Sequence, residues 1–203
     1  YGFIYNAAIL NKAGINPDEI TSYAKLEEAV KKLDAKKAEL GLEAVFAVAG
    51  KETWVTGLHF TNAALSPEFE NVFNAFNAKK IDFKYSEGMK KLFDLQINYA
   101  KKPVNSVDYS TQVEKLFSLG KVAFMQQGNW TLGAIKGIDE ELAANIGFLP
   151  MPIVGAKEDS IPVGIPMYWT VNSTKDEKTQ AASKAFLNWM YTSEKGKDAI
   201  INK

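Results

Sequence analysis

Three short segments set an aromatic ring beside polar groups: Gly128-Asn129-Trp130, Glu52-Thr53-Trp54 and Asp108-Tyr109-Ser110. The first follows the strand-like run Val122-Ala123-Phe124-Met125 and precedes the helix-like stretch from Thr131 to Ile135. A strand that ends in a glycine turn and then presents an indole holds a flat ring at the mouth of a cleft. Pyranose C–H faces and aromatic π-faces are complementary in shape and charge. The chemistry these residues suggest is therefore non-covalent capture of a carbohydrate. Structural readings stand beside it. Trp130 can be a core indole after a turn. Glu52 can be a carboxylate favoured at a helix start, with Trp54 in the core, and Tyr109 can simply precede an N-cap.

Other reactive groups are sparse. His59 is the only histidine, it sits in an aromatic, helix-like stretch, and no metal-ligand spacing accompanies it. It reads as structural, and no metal site is expected. The absence of cysteine excludes disulfides, thiolate metal sites and cysteine nucleophiles. A glycoside hydrolase needs two carboxylates roughly 5 to 9 Å apart across the scissile bond. Glu52 and Asp108 form the one imaginable pair, and nothing local marks either as an acid of raised pKa. The sequons at Asn129-Trp130-Thr131 and Asn172-Ser173-Thr174 read as accidental.

Charge narrows the ligand further. The 203 residues carry 24 basic and 24 acidic groups, so the formal net charge is zero. All the basic groups are lysines, and no cationic stripe stands out. Nucleic-acid binding needs clustered Lys and Arg and is not expected. Phosphate and dicarboxylate sites favour the guanidinium fork, which points to a neutral ligand. No run approaches the roughly 20 apolar residues that span a bilayer. The chain opens on Tyr1, within the strand-like Tyr1-Gly2-Phe3-Ile4-Tyr5. That predicts a sequence cut from a longer protein inside a structural element, with a processed mature terminus as the alternative.

The elements that must position these residues alternate between strand and helix, which argues for an α/β fold. Asn6 to Gly14 reads as a short helix stopped by glycine. Ser22 starts a long amphipathic helix with Tyr23, Leu26, Val30, Leu33 and Leu40 at helical spacing, ended by Gly41. Ala44 to Ala49 reads as a buried strand and Thr53 to Leu65 as a helix. Pro67 to Lys84 reads as a loop and edge segment packed down by Phe69, Phe73 and Phe76. Ser86 and Ser110 are expected to cap two further helices, the second closed by Gly120. A strand is expected at Asn145 to Leu149. The proline-bearing stretch from Pro150 to Pro166 is the candidate linker or hinge. Met167 to Val171 reads as a strand, Thr179 to Tyr191 as a helix, and Ser193 starts a final short helix.

Several of these segments, in order, resemble the extracellular solute-binding proteins of sugar ABC transporters, of the maltodextrin-binding type. Tyr5-Asn6 followed by Ala13-Gly14-Ile15 is similar to the pair that opens the family's second lobe. Pro17 to Leu33 resembles its proline, threonine, aromatic helix start. Gly120-Lys121-Val122-Ala123-Phe124-Met125 with Gly128-Asn129-Trp130 resembles its glycine-lysine strand and glycine-proline-tryptophan turn. Val163-Gly164 through Asn172, Ala181 to Trp189 and Ser193 to Ile200 resemble its returning strand, helix and tail. Departures are Asn129 where the family has proline, Lys25 where its capping box has an acid, and Pro166-Met167-Tyr168-Trp169 where small residues are common.

The resemblance implies a periplasmic-binding-protein-like fold of type II, two lobes closing on ligand, of which this chain is an incomplete part. Residues 6–162 would form the second lobe. Residues 1–5 and 163–203 would be a hinge strand and a returning segment of the first lobe. It implies no enzyme activity and no cofactor. It implies a sugar or oligosaccharide ligand delivered to an ABC import permease on the extracytoplasmic side, any membrane anchor lying outside this chain. Trp130, Trp54 and Tyr109 would stack the sugar and Glu52 would accept from its hydroxyls. Alternation sends one of Tyr168 and Trp169 toward the cleft and the other toward packing. A same-fold receptor for a non-sugar solute is the main alternative, since aromatic boxes also hold cations. The glycoside hydrolase is the lesser one.

Overall fold

Four apolar runs become the strands of one sheet. In the computed structural model, which describes residues 1–164 and 168–202, they are β1 (Gly2–Asn6), β2 (Phe46–Ala47), β3 (Phe124–Gln127) and β4 (Ile146–Leu149), ordered β2-β3-β1-β4. β1 is antiparallel to β3 and β4, and β2 is parallel to β3. Side chains alternate across a sheet, and the register sends Phe3, Phe46 and Phe124 to one face and Ile4, Ala47 and Met125 to the other. The first face is covered by α1 (Ala7–Ala13), α2 (Tyr23–Ala35), α3 (Phe60–Leu65) and α5 (Ser86–Asn98), through Leu10, Leu26, Val30, Leu33, Phe60 and Leu92. Between α3 and α5 lies α4 (Val72–Asn77). The second face is covered by a wide, π-helical turn at Thr111–Phe117 and by α6 (Leu132–Ile138) and α7 (Glu140–Ala144), through Val113, Phe117, Ile135 and Leu142. Helices on both faces of a mixed sheet make this an α/β protein.

The local punctuation follows the sequence at several points. Asn6 ends β1 and caps α1, its Oδ1 accepting from Ile9 N at 3.2 Å. Gly14 and Gly120 take the left-handed conformation after their helices, with φ of 67° and 63°, where a Cβ would be strained.

Elsewhere tertiary packing redraws the elements. α2 stops at Ala35, short of Leu40 and Gly41. The helix expected to begin at Ser110 is capped two residues earlier, by Asp108, whose Oδ1 accepts from Thr111 N at 2.8 Å. Ser110 instead donates to Glu114. Phe73 and Phe76 do not pack their segment down. They lie on α4, a helix of six residues, and are 75% and 87% exposed. The stretch expected as a linker is part of the core at Met151 and Ile153, both buried, and the boundary between two compact units falls within it, after Val163. Proline there enforces an irregular path without forcing the side chains out.

That same stretch repairs the cap of α2. Ser22 Oγ accepts from Lys25 N at a long 3.4 Å, and no acid stands at position 25 to complete a capping box. Glu158 Oε2 accepts from Tyr23 N at 2.7 Å instead. The carboxylate satisfies a free N–H and also sits at the positive end of the helix dipole. Glu158→Ala is expected to lower unfolding stability by about 1 kcal/mol, the usual size of a lost N-terminal cap. A urea titration should show a lower midpoint with an unchanged slope.

Residues 1–163 form one compact unit and residues 164–203 a second. The second contains α8 (Glu177–Thr192) and α9 (Glu194–Asn202). Asp176 caps α8 through both Thr179 N and Thr179 Oγ1, and Ser193 caps α9 by accepting from Gly196 N. The expected strand from Met167 to Val171 is not found over residues 168–171, which have no ladder partner among the described residues. Ile165, Pro166 and Met167, the last two part of the departure noted above, lie outside the described residues.

Candidate functional site

The end of the sheet where β2, β3 and β4 finish and β1 begins carries a cluster of rings. β3 runs from Phe124 to Gln127 and hands the chain to Gly128, which is buried and extended at φ −113° and ψ 175°. Gly128 opens the turn the sequence suggested, its carbonyl accepting from Thr131 N, but its extended backbone makes no use of glycine's left-handed freedom. A Cβ there would overlap the Trp130 ring at Cζ3, Cη2 and Cε3. Glycine is needed because the indole lies back across the backbone. Thr131 closes this corner, its Oγ1 donating to Gly128 O at 2.9 Å. The indole Nε1 donates to Gln127 Oε1 at 3.0 Å, and Trp130 remains 40% exposed.

Trp54 comes from the opposite side, on a π-helical turn, Trp54–His59, that follows the buried run 44–49. Glu52 organises this turn twice. Its carbonyl accepts from Val55 N and Thr56 N, and its carboxylate Oε2 accepts from Trp54 Nε1 at 2.9 Å. Its other oxygen accepts from Tyr109 N at 3.0 Å. One carboxylate thus fixes two of the rings. A carboxylate offers about four lone-pair sites, so each oxygen keeps acceptor capacity for a hydroxyl.

The rings meet. Trp54 lies 6.0 Å from Tyr109 and 6.1 Å from Trp130, centroid to centroid. His59, read from sequence as structural, packs against both tryptophans, 5.2 Å from Trp130 and edge-on to Trp54 at 5.6 Å. Tyr1 stacks on His59 at 4.3 Å and accepts a hydrogen bond at its hydroxyl from Asn62 Nδ2. Sequence reasoning missed Tyr1 and His59. For His59 the available signal was its spacing of five from Trp54, which a π-helical turn brings round to the same side.

Burial favours the neutral forms of two of these rings. It pushes the Tyr109 phenol up, with help from Glu114, and pushes the His59 imidazole down. Asp108 is held below the usual carboxylate range, chiefly by the Thr111 N–H of its own cap. A low, capped carboxylate is the reverse of a general acid. The cluster is an open platform of rings with two fixed indole N–H groups, and it can hold a flat, uncharged, partly apolar surface. A cavity of about 310 Å³ lined by Ala63, Phe69, Met151 and Ile161, and another of about 420 Å³ lined by Val48, Phe93, Ile97 and Pro103, contain none of these rings.

Glu52, Trp54, Tyr109 and Trp130 are thus brought together. Tyr168 and Trp169 belong to the second unit, where they are 78% and 67% exposed. Among the described residues no group of three or more His, Cys, Asp or Glu could hold a metal ion, and no helix is long and apolar enough to cross a membrane.

Comparison with known proteins gives a consistent picture. Residues 1–197 match the family model described as bacterial extracellular solute-binding protein. No curated protein matches the sequence. Among solved structures, the apo form of RafE from Streptococcus pneumoniae is 21% identical, with a TM-score of 0.61, over 100% of this chain and 52% of its own. A sugar transporter protein from Bacillus licheniformis, in complex with stachyose, is 17% identical with a TM-score of 0.54, over 77% of this chain and 41% of its own. A chitin oligosaccharide binding protein is 23% identical with a TM-score of 0.55, over 78% and 39%. The chain spans about half or less of the length of these structures. At such identities the likeness speaks for the fold.

Proposed function

The chain belongs to the bacterial extracellular solute-binding protein family, and from that premise we propose that it supplies one wall of a carbohydrate-binding cleft. Residues 6–162 act as the second lobe. Residues 1–5 and 163–203 act as hinge strand and returning segment of the first. A sugar or oligosaccharide settles on Trp130, Trp54 and Tyr109, with hydroxyls reaching the spare acceptor capacity of Glu52. Closure of the lobes sequesters the ligand, and an ABC permease receives it on the extracytoplasmic side.

One observation carries the reading. Trp54, Tyr109 and Trp130, far apart in sequence, gather at one sheet end with Trp130 substantially open. Rings held by fixed polar partners and left neutral suit pyranose faces. That stachyose and chitin oligosaccharide are named for two structural neighbours supports the ligand class. Micromolar affinity needs about 8 kcal/mol, within reach of a few stacked rings.

Calorimetry on the full-length gene product with raffinose, stachyose, chitin oligosaccharides, maltodextrins and betaine tests this. Binding of at least one sugar is expected, weakened about tenfold by Trp130→Ala, the cost of one stacked ring. Binding of betaine alone would replace the sugar with a cationic solute. Release of reducing sugar that vanishes in Glu52→Gln would replace the receptor with a hydrolase.

A further inference from the structure

Two glutamines lie in the interior behind the ring cluster. Gln112 is 0% and Gln127 is 1% exposed. A buried primary amide is costly unless its donors and acceptor are matched. Here they are matched in series. Gln112 Nε2 donates to Ala47 O at 2.8 Å. Gln127 Nε2 donates to Gln112 Oε1 at 2.8 Å. Trp130 Nε1 donates to Gln127 Oε1 at 3.0 Å. The chain starts at a carbonyl, which can only accept, and ends at an indole N–H, which can only donate. Those two ends dictate the orientation of both amides. Flipping either would set oxygen against oxygen or N–H against N–H.

From this directional series we infer that Gln127 and Gln112 are positioning residues for ligand, setting the plane of the Trp130 ring from the backbone of β2. Trp130 sits on a short corner after β3, where its backbone alone does not fix the indole about χ1 and χ2. The Nε1 bond removes that freedom before ligand arrives, and pre-paid order strengthens binding. It also commits the only polar atom of the indole internally. Trp54 is treated likewise, its Nε1 held by Glu52. Both tryptophans therefore meet a ligand by face alone, and a ligand gains from them only where it presents an uninterrupted C–H surface. This rests on the carbohydrate reading for its consequence, though not for its geometry.

The test uses Gln127→Met and Gln112→Met, close in size and unable to bridge, alone and combined with Trp130→Phe, in the full-length gene product. Three quantities are read: the Trp130 indole N–H resonance, raffinose affinity and the urea midpoint. Gln127→Met should shift and broaden that resonance and weaken raffinose about tenfold, the scale of one lost ordering contact. In the Trp130→Phe background, which has no N–H to hold, it should cost no further affinity. A lower urea midpoint with resonance and affinity unchanged would mean the glutamines merely fill the interior, and would overturn the inference. So would an equal affinity loss with and without Trp130. If Gln127→Met does not fold, Gln112→Met carries the same expectation from one bond further away. If the native protein does not bind raffinose, the ligand reading fails for that sugar, and the indole resonance still decides the positioning role.

Discussion

Gly128→Ala is expected to weaken sugar binding about a hundredfold and to lower stability by about 2 kcal/mol, more than removal of the Trp130 ring itself. The added methyl would occupy the space of ring carbons Cζ3 and Cη2. Backbone cannot easily retreat, because Thr131 N and Oγ1 both bond to Gly128 O and because Gln127 beside it is paired with Gly2 of β1. The ring must swing away. It then loses the Gln127 bond, leaves that buried amide oxygen without its partner, and enters the space above Trp54 and His59 where ligand would lie. A missing ring leaves a gap, whereas a misplaced ring blocks the site. Urea denaturation and raffinose calorimetry measure the two losses. The collision can be relieved separately. Gly128→Ala combined with Trp130→Leu should recover most of the stability and none of the affinity. Full affinity in Gly128→Ala alone would show that the indole does not lie across this glycine.

How much of this was written plainly in the sequence depends on the range of the interaction that decides each residue. The four strand runs of the sheet, the helix starting near Asn6 and the glycines at 14 and 120 are local matters of hydrophobic period and left-handed backbone, and their positions were legible. The three aromatic segments were legible as candidates, because a ring beside polar residues is poorly suited to a closed core. Their convergence was not. It depends on the π-helical turns at Trp54–His59 and Thr111–Phe117, whose apolar spacing reads as ordinary helix. Long-range satisfaction was invisible for the same reason. Gln112 and Gln127 look like solvated polar residues until the pairing of β2 with β3 brings Ala47 O within reach. Glu158 looks like a loop charge until the path of residues 151–158 returns it to Tyr23. Gly128 was legible as the start of a turn, and Thr131 N does bond to its carbonyl. The reason the position must be glycine was not legible, because it is a side chain two residues on.

Glu52→Gln, ordinarily a mild exchange, is expected here to cost about a hundredfold in sugar affinity. Both carboxylate oxygens of Glu52 accept, one from Trp54 Nε1 at 2.9 Å and the other from Tyr109 N at 3.0 Å. An amide has one accepting oxygen, so its NH₂ must face either the indole N–H or the backbone N–H, donor against donor. Hydrogen bonds to a charged acceptor are worth about 1.5 to 3 kcal/mol each. Losing one and opposing it frees either Trp54 or the start of the Tyr109 helix, and with it the angle between two rings of the platform. Glu52→Asp is the complementary probe. It keeps both oxygens and the charge but is one methylene too short to span the two donors, so it should recover only part of the loss. The pair also separates a positioning carboxylate from a catalytic one. A catalytic carboxylate, removed, leaves ligand affinity near native and abolishes turnover. A positioning carboxylate, removed, loses affinity and shifts the Trp54 indole N–H resonance in the absence of any ligand. Native affinity in Glu52→Gln together with an unshifted Trp54 resonance would show that neither ring depends on this residue.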